Sequence, residues 1–283
     1  MTDGPPRIFD VHAQALRRAR AARMAGERFL IREALEGVRA RLAPVNRTFA
    51  TALLLDKNAA EALQEIGQKR QTGAFEQDGR LEAGEGGHDV AVSVLSLQGL
   101  NDLPGALVQI RRALKPDGVF VAALFGGATL FELRDSFAAG EIATMGGVTP
   151  RVAPMADVRE LGALLQRAGF AIPVADVEHT TVRYREFRTL VADLRLMGET
   201  NALTGRHKHL SRATLAAALA HYGAKHADAD GRLRATFDIV YLTGWAPHES
   251  QPKPLRPGSA TARLADALGT VEHPAGDKAG PKR

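Results

Sequence analysis

Short apolar runs of strand length alternate along this chain with segments of helical periodicity, and that alternation restricts the fold to a narrow class. Residues 48–55 (TFATALLL) form the first run, closed by Asp56 and Lys57. In residues 58–69, Ala59, Ala62, Leu63 and Ile66 share one helical face. Residues 88–97 (HDVAVSVLSL) read as a buried strand, and residues 103–114 as a helix with Leu103, Leu107, Ile110 and Leu114 on one side. Asn101 and Asp102 are cap candidates for it, with Pro104 in the first turn. A turn at 115–118, a strand at 119–125 and a helix from Thr129 follow. Residues 157–169 give another helix, and 172–182 and 235–244 the last two strands, suited to a terminal hairpin pair. The expected architecture is α/β: a mostly parallel, Rossmann-like sheet with helices on both faces.

The ends of the chain differ from its middle. Residues 9–41 read as one Arg-rich helix that Pro44 closes, and residues 186–226 as two helices that cap the sheet edge. Residues 247–283 are rich in Pro, Gly, Ser and Ala and predict a partly disordered tail. The expected division is therefore 1–45, 46–246 and 247–283. The net charge of +5 is concentrated at the ends: residues 1–50 hold ten Arg against five acids. A solvated helix face explains this better than a nucleic-acid surface, because no aromatic residues interleave with the basic ones. An organellar transit peptide would also be Arg-rich, but Asp3, Asp10, Glu27 and Glu33 argue against one. No apolar run reaches the length of a membrane helix. The absence of cysteine excludes disulfides, thiolate metal sites and cysteine nucleophiles.

In open α/β sheets ligands bind beyond the carboxyl ends of the strands. That points to residues 56–58, 96–101 and 125–129. A nucleotide-type cofactor needs glycine after the first strand, because a Cβ blocks its close approach. Here the turn is Leu55-Asp56-Lys57-Asn58-Ala59-Ala60. The ribose-binding acid expected at the end of the second strand has only Glu76 and Asp78 as candidates, in a polar stretch. Gly126-Gly127 reads either as an anion-binding helix start or as a tight turn. The histidines show no metal-ligand spacing, in His207-Lys208-His209 or elsewhere, so no metal is expected. Glu199-Thr200-Asn201 after Gly198 reads as an exposed polar cluster and a candidate site wall.

Residues 89–97 (DVAVSVLSL), 100–104 (LNDLP) and 114–118 (LKPDG) resemble class I S-adenosylmethionine (SAM) methyltransferases of the BioC-like group. Residues 125–134 (FGGATLFELR), 150–154 (PRVAP), 164–170, 193–201 (DLRLMGETN), 244–251 (GWAPHESQ) and 256–260 (RPGSA) narrow the likeness. With Ile8-Phe9-Asp10, they resemble the family of the mitochondrial complex I assembly factor that acts as an arginine hydroxylase, and its bacterial relatives. The resemblance implies a SAM-binding fold that acts on a protein arginine. It implies as partner a protein substrate or a respiratory-complex subunit. The implied location is the bacterial cytoplasm beside the inner membrane, with peripheral membrane contact, or the mitochondrion in a eukaryote.

The departures are specific. Where the family's first strand ends in Asp-x-Gly-x-Gly, Leu54 replaces the acid, and Asp56 and Asn58 replace the glycines. A carboxylate at Asp56 is expected to repel that of SAM. Two readings follow. In the first, an enzyme keeps an altered pocket, with Asp56, Ser96 and Leu97 on SAM and with Glu132, Arg134, Glu199 and Asn201 on the substrate side. In the second, a pseudoenzyme acts as a binding or assembly protein.

Overall fold

The computed structural model describes residues 7–205, 209–252, 266 and 268–270. The chain divides into two units, residues 1–248 and 249–283. The expected tail and the motif at 256–260 lie almost wholly outside the described residues, as do His207 and Lys208. No helix among the described residues is long and apolar enough to cross a membrane.

The first unit holds a six-stranded sheet in the order β2-β1-β3-β4-β6-β5. Strands β1 (Thr51–Leu54), β2 (Lys69–Thr72), β3 (His88–Val94) and β4 (Leu114–Phe125) run parallel. The final pair, β5 (Ala171–Tyr184) and β6 (Leu233–Trp245), is antiparallel, with β6 inserted beside β4. The parallel strands are apolar along nearly their whole length because helices cover both faces. Along β4, Val119, Val121 and Ala123 enter one core, while Phe120, Ala122 and Leu124 enter the other. That period of two is the strand's own geometry.

The first core packs helices α2 (Phe29–Leu42), α3 (Lys57–Ala62), α5 (Phe131–Met145), α7 (Phe187–Met197) and α8 (Arg212–His226) on the sheet. The second packs α4 (Leu103–Ala113) and α6 (Val158–Arg167) through Leu107, Ile110, Leu161 and Leu165. Each of these four leucine or isoleucine side chains is fully buried, so truncation to alanine costs about 2–5 kcal/mol.

The structure corrects four expectations. The N-terminal helix is two, α1 (Val11–Ala22) and α2, broken at Gly26 with φ +147°. A Cβ on Gly26 would crowd the Leu196 side chain at 2.8 Å, and Arg28 donates to the carbonyls of Ala21 and Leu196. Nor does α2 stand outside the domain: Leu30, Ala34 and Val38 are fully buried in the first core. The second strand is Lys69–Thr72, which lies before the polar stretch of Glu76 and Asp78 where its acidic end was sought. Its four residues are all exposed, so no apolar alternation marked it. The segment 115–118 is not a free turn but the irregular start of β4, where the register against β3 shifts. Asp117 takes φ +61° there.

Asp89 holds this end of the sheet together. It accepts hydrogen bonds from Thr51 N (2.8 Å), Thr51 Oγ1 (2.9 Å) and Lys115 Nζ (2.8 Å). Burial works against the charged form, but Lys115 and Thr51 outweigh it and hold the carboxyl at about 2. The folded value lies below the unfolded one, so this stabilisation is present above pH ~4 and is lost as pH falls toward 2. In denaturant titrations, the stability gap between wild type and Asp89→Asn is expected to shrink steadily across that window.

Candidate functional site

Helix α1 lies against the segment that follows the carboxyl end of β3, with Gln14 donating to Gly99 O at 3.0 Å, and a parallel sheet presents its ligand site at that end. Asn101 fixes it there. Its Oδ1 accepts from Ile8 N and Phe9 N, both at 2.8 Å, and its Nδ2 donates to Phe9 O at 3.0 Å. Capping of α4 falls to Asp102, which accepts from Gly105 N at 2.8 Å. Asp10 caps α1 through Ala13 N (2.9 Å), and its own N–H bonds Ala202 O (2.8 Å).

Beneath α1 is a cavity of about 350 Å³. Its walls are mainly apolar, from Phe9, Leu130, Leu133, Phe137, Phe187 and Leu194, and its polar lining includes Arg18, Gln98, Glu199 and Asn201. Glu199 sits at the end of α7. Gly198 adopts the left-handed conformation (φ +77°), its N–H bonds Arg195 O, and Glu199 N–H bonds Leu194 O. A Cβ on Gly198 would lie 3.2 Å from the Arg18 backbone, so glycine also permits the close approach of α1. Glu199 is half-buried, and its carboxyl is the acidic group of the cavity wall. Burial pushes that carboxyl above its ordinary range, opposed by the charge of Arg18 and a hydrogen bond with Gln98. The cluster expected to be exposed is therefore a cavity wall. Asn201 donates to Pro150 O (3.1 Å) and accepts from Leu203 N (2.9 Å), joining the two loops that close the wall.

The other substrate-side candidates face elsewhere. Glu132 is buried, and its carboxylate accepts from Thr236 N (3.1 Å) and Thr236 Oγ1 (2.6 Å), tying α5 to β6. Arg134 donates to Thr129 O (3.3 Å) and Ala153 O (3.2 Å). Neither lines the cavity, although Arg134 holds Ala153, which does.

The turn after β1 differs from both a glycine loop and an exposed carboxylate. Asp56 is folded into the protein. Its Oδ1 accepts from Ala59 N (2.9 Å), capping α3. Its Oδ2 accepts from Val94 N (2.7 Å), Ser93 Oγ (3.0 Å) and Ser96 Oγ (3.1 Å). Burial pushes this carboxyl up, and the four donors pull against it. Asn58 adds a bond from Nδ2 to Val94 O (3.0 Å). The expected repulsion at the cofactor position is thus corrected: the charge points into the sheet and latches β1 to β3. Ser96 belongs to this latch, and Leu97 is a buried member of the second core. The second-strand acids are occupied too, Glu76 by the Arg80 side chain and Asp78 by Arg80 N. At Gly126-Gly127, Asp238 takes the anion's place. Its carboxylate accepts from Ala128 N (3.0 Å) and its carbonyl from Gly126 N (2.9 Å).

Gln98 falls within the expected segment 96–101, whereas sequence reading missed Arg18 and Phe9 as parts of the cavity. Only the position of α1 above the strand ends could have revealed them. It also missed a grouping of Asp135, His221 and His226, whose ligand atoms lie within 4.8 Å of one another.

No family model matches the chain. Among curated proteins, the arginine-hydroxylase NDUFAF5, mitochondrial, of Danio rerio is 44% identical over 178 residues, 63% of this chain and 56% of that protein. The human protein of the same name is 44% identical over 185 residues, 65% of this chain and 53% of that protein. The malonyl-[acyl-carrier protein] O-methyltransferase of Gallionella capsiferriformans is 35% identical over 180 residues, 62% of this chain and 58% of that protein. The chain thus spans little more than half the length of these relatives. Among solved structures, the YcgJ protein from Bacillus subtilis superposes with a TM-score of 0.50 at 10% identity, over 75% of this chain and 99% of that one. The fold is a Rossmann-like α/β fold, shared with YcgJ.

Proposed function

We propose that this chain, a methyltransferase-fold protein related in sequence to arginine hydroxylases, receives an arginine side chain of a protein partner in the cavity under α1. The observation that carries the reading is Glu199 in the wall of a mainly apolar cavity, its carboxyl pushed above the ordinary range by burial. An arginine matches both parts: its methylenes line the apolar walls and its guanidinium meets the carboxylate with paired hydrogen bonds. Arg18 lines the same cavity, and its positive charge already favours the ionised form of Glu199. An incoming arginine takes over that role. The partner class this reading favours is a respiratory-complex subunit, met in a bacterium on the cytoplasmic side of the inner membrane.

The β1 turn does not fit SAM. It has no glycine between Leu54 and Ile66. Asp56 and Asn58 commit their side chains to β3, and the cavity reaches Gln98 and Gly99 but none of residues 54–60. The same latch favours a second reading, in which the partner's arginine is held without being modified.

Titration with an arginine-containing peptide and its citrulline counterpart tests the binding. Citrulline keeps the shape and removes the charge, so binding of the arginine peptide alone is expected, and equal binding of both would refute the proposal. Mass spectra of the partner after incubation under air with a reductant, which supply the dioxygen and the two electrons that a hydroxylation consumes, separate the two readings. A gain of one oxygen on an arginine supports the hydroxylase, and an unchanged arginine in a stable complex supports the holding protein.

A further inference from the structure

We propose that Asp135, His221 and His226 form a transition-metal site that staples α8 to α5. Asp135 is remote in sequence from the two histidines, and the packing of the two helices brings them together. Asp135 lies in the second turn of α5, while His221 and His226 occupy the C-terminal end of α8. Asp135 Oδ2 is 2.9 Å from His221 Nε2 and 2.8 Å from His226 Nε2. Metal–ligand bonds of about 2.0–2.1 Å place neighbouring ligand atoms roughly 3–3.5 Å apart, so small rotations suffice to admit an ion.

The surroundings suit a site open on one side. The His226 side chain is buried at 7% exposure, with its ring held edge-on by Phe131 and Tyr222. His221 and Asp135 are 31% and 38% exposed, which leaves water free to complete the coordination shell. Two imidazoles and one carboxylate select for zinc, cobalt, nickel, copper or iron(II) over magnesium and calcium, which prefer all-oxygen shells. Lys225 is the resident competitor. Its Nζ is 3.0 Å from the same Asp135 oxygen, but its side chain is 57% exposed and free to swing into solvent. Arg234, from β6, reaches the His226 backbone carbonyl and leaves the ring nitrogens alone. None of the three ligands lines the cavity under α1, so this site stands or falls independently of the arginine proposal.

The test uses full-length, tag-free protein stripped with chelator and titrated with cobalt(II), then zinc(II). One equivalent of cobalt is expected to bind with a visible ligand-field spectrum, zinc to displace it, and the thermal midpoint to rise with metal concentration. Because His226 is buried, the partly exposed ligands carry the test. His221→Ala and Asp135→Asn are each expected to weaken binding at least about tenfold. Lys225→Met should tighten it by removing the competing ammonium, which a purely structural ion pair would not do. Absence of saturable binding below millimolar metal would overturn the proposal. So would binding left unchanged in both ligand variants, because the ion would then sit on other histidines.

Discussion

Glu199→Gln is expected to cut affinity for an arginine-bearing partner by roughly 100-fold while leaving the thermal midpoint nearly unchanged. The substitution keeps the size of the side chain and its place after Gly198 and removes only the charge. A hydrogen bond to a charged group contributes about 1.5–3 kcal/mol, and each 1.4 kcal/mol is a factor of ten. The fold should tolerate the change because burial already pushes the Glu199 carboxyl up. A neutral amide relieves that cost of desolvation. Glu132→Gln should behave in the opposite way. It disturbs the bonds to Thr236 that join α5 to β6 and so lowers stability, with no direct effect on the cavity. Comparing binding and melting for the two variants separates a ligand-binding carboxylate from a structural one. Equal loss of affinity in both would remove Glu199 from its assigned role.

Asp56→Ala is expected to destabilise the protein by about 2–4 kcal/mol. The loss combines a helix cap, worth about 1 kcal/mol, with the buried Val94 N–H left unpaired at about 1–3 kcal/mol. Ser93 and Ser96 are 2.9 Å apart and can satisfy each other, so they add little. For a domain of this size that corresponds to a fall of about 5–15 °C in the melting midpoint. A cofactor loop would respond otherwise, losing ligand affinity with little change in the apo protein. Differential scanning of Asp56→Ala and Asp56→Asn distinguishes these, with the amide expected to lie between wild type and alanine.

The fold was readable because its determinants are local. Continuous apolar runs of strand length mark β3 and β4, a capping box from Asp157 and Glu160 opens α6, and Gly169 and Gly198 stop their helices. The failures come where the determinant is distant in sequence or leaves no local pattern. The break between α1 and α2 depends on Leu196, over 160 positions away, packing against Gly26. The edge strand β2 buries none of its residues and so carries no pattern. At the site, motif position led to Glu199 and Asn201, but it could not distinguish them from Glu132 and Arg134, whose direction depends on how α5 rotates against β6. Asp56 was recognised as out of place in a cofactor loop. That its charge turns inward became clear only when Val94, Ser93 and Ser96 stood beside it. Asp135 and His221 are joined solely by helix packing, which no spacing along the chain encodes.

Calorimetric titration of the wild-type chain with SAM puts the role of the β1 turn to the sharpest trial. If Asp56 and Asn58 have turned this loop into a latch, no binding heat will appear up to about 1 mM ligand, equivalent to less than about 4 kcal/mol of affinity, while the protein melts cooperatively. Saturable binding in the micromolar range would mean that the turn still opens to a cofactor, and the latch would be wrong.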